Sequence, residues 1–354
     1  MTRRFLARLG LIAAAVATIA LTGSAMAQEK TKVGLLLPES QTARYEKFDR
    51  PFFEKTLAAE CSDCEVLYAN AGNDASKQLS QAESMLAQGV KLLVLFAVDS
   101  EAAATLVESA HSRGVPTIIY GREVKGPVAY DMSIPLPELG ASNAAVLAKF
   151  LADKGVKSGN IVMLNGDTSC ACIKPMAEGA KKAIGPNYTI AREIDVKNWD
   201  PAEAQKSMDQ AITALGGQNI AGVFAMNDGI AGGAISALKA AGVNPLPPVS
   251  GMDQDIAAVQ RILVGEQVGS ATTGPISQAT QVAQVAAKVV RGEKPETEGT
   301  NASGAPTIMF EVPPAVTIEN VQAELLDNGT YRYDEICTAE FKSACDAAGL
   351  KPAG

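Results

Sequence analysis

Two hydrophobic periods alternate along the chain. Short continuous apolar runs, "KVGLLLP" from about 32 to 38, "EVLYANA", "KLLVLFA" and "PTIIYG", read as strands buried on both faces. Between them lie longer segments with helical recurrence of apolar positions, "RYEKFDRPFFEKTLAAE", "ASKQLSQAESMLAQGV" ended at Gly89, and "EAAATLVESAHSRG". The cycle restarts after Asp131. A helix over about 138 to 154 precedes the strand "NIVMLNG", then the helix "CIKPMAEGAKKAIG", the strand "TIAREIDV" and the helix "PAEAQKSMDQAITALGG". The strand "IAGVFAMND" and its helix "GIAGGAISALKAAG" follow, then "PPVSGMD", a helix over about 254 to 265, the strand "VGSATT" and a long helix over about 275 to 291. "TIMFEVPPAVTIENV" reads as extended structure plus a tail. Two successive βα sets predict an α/β protein of two Rossmann-like lobes, each with a parallel sheet covered on both faces.

The first residues add a compartment. Met1 to Ala27 carries Arg3, Arg4 and Arg8 with no acid, then an apolar run from Leu9 to Leu21, and ends on Ala25-Met26-Ala27. That is the pattern of a cleaved secretory signal, and the apolar run is short of the roughly 20 residues a membrane span needs. The mature chain, about 327 residues, is expected in the periplasm as a soluble monomer. No cysteine stands near the cleavage site to take a lipid. Loss of the three arginines takes the formal net charge from -8 to -11, which disfavours nucleic acid and anionic membrane surfaces as partners. At 47% hydrophobic residues the chain builds full cores without help from disulfides.

Six cysteines form three close pairs, and an oxidising compartment favours local disulfides. Cys61 with Cys64 and Cys337 with Cys345 read as small staples. Cys170 and Cys172, in "NGDTSCACIKPM", flank one alanine. A bond between them closes a small ring, and two buried thiols or other partners stay open as alternatives. A metal reading is weak, because His111 is the only histidine and no cluster has zinc spacing. No cofactor is implied. A P-loop, a first-strand dinucleotide fingerprint and a nucleophile elbow are all absent. Without a histidine at the loop ends, neither a Ser-His-Asp nor a Cys-His system has its base. The chain reads as a binding protein rather than an enzyme.

Ligands of open α/β sheets sit beyond the carboxyl ends of the strands. Those positions offer Glu39, Arg44, Tyr45, Gly121 and Arg122 in the first lobe. In the second they offer the Asp167-to-Cys172 loop, Trp199, Asn227-Asp228 and Asp253. Guanidinium forks, carboxylates and flat rings together suit a neutral polyhydroxylated ligand, whose hydroxyls take charge-assisted hydrogen bonds and whose C–H faces pack on aromatics. Each residue also has a structural reading. Trp199 fills a core, Arg44 and Arg122 are solvated, and Asn227 or Asp253 caps the helix that follows it.

"KVGLLLPES…ARYEKF", "SQAESMLAQGVKLLVL", "NWDPAEA", "NDGIAGGAISALKAAGV" and "VSGMDQDIAAVQRILVGEQ" resemble the type I periplasmic sugar-binding proteins of ABC importers, nearest the D-xylose-binding branch. The resemblance spans nearly the whole mature chain. It implies two lobes joined by three crossovers, residues 28–134 with 274–303 and residues 135–273 with 304–354. It further implies a sugar-like ligand in the cleft, an ABC permease in the inner membrane as partner, and no catalysis. Arg44, Tyr45, Arg122, Trp199, Asn227 and Asp253 match binding positions of that family. Gly121 stands where it has an aspartate, Cys170-Ala171-Cys172-Ile173 where it has Asp-Asn-Asn-Ala, and Gly274-Pro275 where it has a lysine. With Cys170 and Cys172 on the cleft wall, these departures replace hydroxyl-binding groups by less polar ones and read as a change of ligand preference. Signalling to a chemoreceptor or sensor kinase is the alternative output, and a thiol oxidoreductase the alternative class.

Overall fold

A computed structural model describes residues 30–353; the expected signal segment lies outside the described residues. In the first lobe the strands β1 (Thr31–Leu37), β2 (Cys64–Asn70), β3 (Leu92–Leu95), β4 (Thr117–Tyr120) and β5 (Tyr130–Ser133) pair in parallel in the order β2-β1-β3-β4-β5. Their connecting helices are α1 (Arg50–Glu60), α2 (Ala75–Ala87) and α3 (Ala103–Ser112). The chain then crosses over through α4 (Leu136–Asp153) into a second sheet of β6 (Gly159–Asn165), β7 (Tyr188–Asp195), β8 (Ile220–Ala225), β9 (Val249–Met252) and β10 (Gly269–Ala271). That sheet repeats the same order, β7-β6-β8-β9-β10, with every pair parallel. Its helices are α5 (Ile173–Ile184), α6 (Pro201–Leu215), α7 (Asp228–Ala240) and α8 (Ile256–Leu263).

Local chemistry sets these elements. β3 and β4 are buried at every position, which is why they read as unbroken apolar runs. Asp74 caps α2, accepting from the Lys77 N–H at 2.9 Å, and Asp200 caps α6 ahead of Pro201 at the first helical position. Close helix packing relies on missing side chains. A Cβ on Gly140 of α4 would meet the Met176 carbonyl at 2.0 Å, and one on Gly179 of α5 the Pro137 carbonyl at 1.9 Å.

After β10 the chain returns through α9 (Pro275–Val290), which packs on α1 in the first lobe. The next segment corrects the expected boundary at 304. Strands β11 (Gly299–Thr300) and β12 (Pro306–Met309) form an antiparallel hairpin, and β12 pairs in parallel with β5, completing a seven-stranded first sheet. The Phe310 N–H still donates to Ser133 at 2.7 Å, so the third crossing falls after this strand. Only then does Val316 pair with Ser270 of β10. The sequence "PTIM" is too short to declare its sheet, and only pairing does so.

The remainder is more than a tail. A wide helical turn at Gln322–Asp327, then α10 (Tyr333–Ile336) and α11 (Lys342–Ala347), bury Val321, Leu325, Tyr331 and Ile336 in a core shared with Phe48. All three cysteine pairs are bonded, with Cα separations of 5.3 Å for Cys61–Cys64, 5.1 Å for Cys170–Cys172 and 5.9 Å for Cys337–Cys345. The last staples the C-terminal cap.

Candidate ligand-binding cleft

Both sheets reverse their strand order next to the first strand of the lobe, and the loops beyond those strand ends face one another. The cleft between them has a cavity volume of about 70 Å³. It is lined by Arg44, Tyr45, Phe96 and Arg122 from the first lobe and by Cys172, Trp199, Asn227 and Asp253 from the second.

Arg44 begins a wide turn of helix, Tyr45–Asp49, that runs into α1. A turn closed by i→i+5 bonds stacks residues five apart, and it brings Asp49 beneath Arg44. The two form a buried bidentate pair, Nε to Oδ2 and Nη2 to Oδ1, both at 2.8 Å. Nη2 also donates to Gln278 Oε1 at 3.0 Å, and Nη1 donates to Thr273 Oγ1. The Tyr120 hydroxyl donates to the same Asp49 carboxylate. Burial opposes the guanidinium charge, yet Asp49 beside it holds the Arg44 pKa well above its ordinary value. Of five N–H donors, four are committed to protein, which leaves one Nη1 hydrogen for a ligand.

Arg122 spends its Nη1 hydrogens on the carbonyls of Ala97 and Val98, at 2.9 and 3.0 Å. Its guanidinium lies 5.5 Å from the Phe96 ring and 5.8 Å from that of Trp199, spanning the two lobes. Nε and Nη2 take no protein acceptor among the described residues. The same first-lobe loop latches the second lobe. Ser100 N–H donates to the Ser169 carbonyl at 3.0 Å, and the Ala171 N–H donates to Ser100 Oγ at 3.2 Å. The Cys170–Cys172 ring thus presents its central peptide to the opposite lobe.

Trp199 sits beyond β7 in a tight turn where Asn198 and Trp199 both have φ of 58°. Asp167 holds that turn, accepting from the N–H groups of Asn198 and of Ser169. Burial pushes its carboxyl up, but those N–H bonds outweigh it and leave its pKa below the usual carboxylate range. The indole packs on the bare backbone of Gly166, where a Cβ would lie 2.1 to 2.4 Å from the ring carbons. Gly166→Ala is therefore expected to push the ring out of the cleft, weakening ligand binding at least tenfold while shifting Tm by only a few degrees. Calorimetry beside a thermal melt checks this; unchanged affinity would remove the indole from the ligand's contacts.

Asn227 caps α7, its Oδ1 accepting from the Ile230 N–H at 2.9 Å. The structural and functional readings of this residue are compatible, since the cap uses the oxygen and leaves the Nδ2 hydrogens toward the cleft. Asp253 does not cap a helix; Asp255 occupies that place ahead of α8. Instead Asp253 and Gln254 take left-handed backbone, with φ of 100° and 60°, a costly conformation for such residues. Surrounding bonds impose it. Asp228 accepts from Ser270 Oγ at 2.7 Å, from Gln267 Nε2 at 2.8 Å and from the Asp255 N–H at 3.0 Å. Gln254 N–H donates to Ser270 Oγ, and the Tyr331 hydroxyl of the C-terminal cap donates to the Gln254 carbonyl at 2.8 Å. The Asp253 carboxylate, buried and without a protein donor among the described residues, faces the cleft. Burial pushes its pKa up to about 7, against the pull of Arg44. Burial raises Asp228 and Asp255 as well, with repulsion from Asp253 adding to the first and from Asp228 to the second.

The structure brings together Arg44, Tyr45, Arg122, Cys172, Trp199, Asn227 and Asp253. Cys170 is the exception. It lines a separate groove with Asn165, Lys174 and Glu193 while its bonded partner Cys172 lines the cleft. Sequence reasoning missed Phe96, Thr273, Gln278 and an aliphatic group that includes Leu139 and Met176. The spacing of Arg44 and Asp49, five apart in a helical segment, was a signal available for the ion pair.

Comparison with known proteins adds family to geometry. Residues 33–294 match the periplasmic binding protein domain. The chain is 26% identical over 328 residues to the D-xylose-binding periplasmic protein of Escherichia coli (strain K12), covering 90% of this chain and 96% of that protein. It is 27% identical over 350 residues to the multiple sugar-binding periplasmic receptor ChvE of Rhizobium radiobacter, covering 92% and 97%. An ABC transporter solute binding protein from Clostridium phytofermentans with bound beta-D-glucose superposes with a TM-score of 0.79 at 25% identity, over 86% of this chain and 100% of that one.

Proposed function

Because the chain belongs to the periplasmic binding protein domain family, we propose that it is the solute receptor of an ABC importer and that its cleft closes on a monosaccharide or related polyol. The carrying observation is the buried, donorless Asp253 carboxylate opposite the unspent Nε and Nη2 hydrogens of Arg122. A ligand hydroxyl donates to the first and accepts from the second, and such bonds are strong where water is excluded. The Tyr45 hydroxyl and the Asn227 amide supply the remaining partners. The aromatic faces of Phe96 and Trp199 take the ring's C–H surface.

Closure is the working step. Arg44 and Arg122 belong to one lobe and Asp253 to the other, so a ligand meets the full set only when the lobes are together, and binding shifts the population to that state. The closed outer surface then docks on a permease in the inner membrane. The relatives are binding proteins, and the cleft chemistry described here calls for no catalysis and no cofactor. Export to the periplasm through a cleaved leader fits the relatives' compartment.

A thermal-shift screen over pentoses, hexoses and polyols tests the reading. Ligand that binds only the native state raises Tm, by an amount equivalent to about 2.7 kcal/mol at a hundredfold excess over Kd. No shift with any carbohydrate would sink the sugar assignment.

A further inference from the structure

One wall of the cleft carries almost no hydrogen-bonding capacity. Ile134, Leu136 and Leu139, at the crossover into α4, face Cys172 and Met176 at the start of α5. The glycine contacts at Gly140 and Gly179 clamp the two helices together, which fixes these five side chains as one surface. Backbone groups do not relieve its apolar character. Pro135 and Pro137 have no N–H. Two donors at the start of α5 are already taken, the Cys172 N–H by Cys170 Sγ at 3.2 Å and the Ile173 N–H by the Cys170 carbonyl at 3.3 Å. The Ala171 N–H is spent on Ser100. On the acceptor side, the Pro135 carbonyl takes the Leu139 N–H at 3.0 Å. The rest of the same cleft's lining includes Arg122, Tyr45, Asn227 and Asp253.

Resting on the carbohydrate reading above, we propose that the cleft selects a deoxy sugar, a carbohydrate with hydroxyls along one edge and a methyl or methylene group at the other. A hydroxyl pressed against the Ile134–Met176 wall loses its water and gains no partner, whereas a methyl group loses nothing and packs. The Cys170–Cys172 ring contributes twice. It supplies an apolar sulfur to the wall and consumes the helix-end donor that would otherwise hold an oxygen.

The test is calorimetry on matched pairs: D-galactose and 6-deoxy-D-galactose, D-glucose and 6-deoxy-D-glucose, L-mannose and 6-deoxy-L-mannose, and D-ribose and 2-deoxy-D-ribose. At least one deoxy member is expected to bind about tenfold to a hundredfold tighter than its parent, the span a hydrophobic pocket achieves against an added hydroxyl. Leu136 is only half-buried, and Leu136→Gln, verified as folded by its melt, is expected to bring that ratio below about threefold. Parents that bind as well as or better than every deoxy partner overturn this inference and leave the carbohydrate reading standing. A preference unchanged in Leu136→Gln overturns its assignment to this wall. No binding by any sugar in either set overturns both.

Discussion

Asp49→Ala is expected to cost the protein about 3–5 kcal/mol of stability and most of its ligand affinity, although Asp49 does not line the cleft. The cost follows from what the substitution leaves behind. Arg44 stays buried with its charge, while both hydrogen bonds at 2.8 Å to the carboxylate are gone. Removing one member of a buried ion pair carries a penalty of that size because the survivor is uncompensated. Tyr120 loses its hydroxyl acceptor at the same time. Affinity falls because Gln278 and Thr273 alone do not fix the guanidinium plane. The double replacement Arg44→Met with Asp49→Leu separates the two effects. Hydrophobic replacement of a whole buried pair is often neutral, so its urea-unfolding free energy is expected to return close to wild type. Calorimetry on the same variant is expected to show binding still weakened, since no Nη1 hydrogen remains for the ligand. A single variant as stable as wild type would show that the pair does not hold the first lobe's edge of the site.

The legibility of this chain follows a physical division. β1, β3, β6 and β8 are read directly because strands buried on both faces must be apolar throughout, and their helices because one face must recur. The expected boundary at 304 puts β12 in the wrong lobe because strand pairing is a long-range choice that a four-residue run does not encode. In the cleft, the residues with chemistry of their own were visible from their places at strand ends. Those that act through others were not. Asp228 looks like a cap partner and instead organises the Asp253–Gln254 turn, a role set by Ser270 and Gln267 more than 35 residues away, as the sequence separations of 42 and 39 show. The aliphatic wall was invisible for the opposite reason: Leu136, Leu139 and Met176 look like ordinary helix core. Only the departure at Cys170-Ala171-Cys172 hinted that this side of the cleft had lost polarity.

Asp253→Asn is expected to stabilise the ligand-free protein at pH 8 while weakening ligand binding roughly tenfold to a hundredfold, and the two changes share one cause. Burial raises the Asp253 pKa from the usual value near 3.9 to about 7. Between those two values the folded protein holds a proton that the unfolded chain has released. Stability therefore falls as pH rises through that window. The contribution is fully present below about pH 4 and is lost once pH passes about 7. Asparagine has no such charge to bury, so its melt is expected to exceed that of wild type at pH 8 by the equivalent of about 4 kcal/mol and to converge with it at about pH 4. Asp228 and Asp255 also have pKa values raised by burial, that of Asp228 in part through Asp253 itself, so both proteins lose stability over this range and the difference between them reports Asp253 together with its repulsion of these neighbours. A ligand hydroxyl reverses the balance, because donating to the carboxylate stabilises its ionised form. Wild-type affinity is thus expected to rise with pH from 6 to 8, and that of Asp253→Asn to stay flat at a lower value, with about 1–3 kcal/mol lost to the mismatched partner. Melts at pH 4, 6 and 8 with and without sugar measure all of these together. Parallel stability curves for the two proteins would show that Asp253 is not held against its charge, and the strained turn that presents it would then need another purpose.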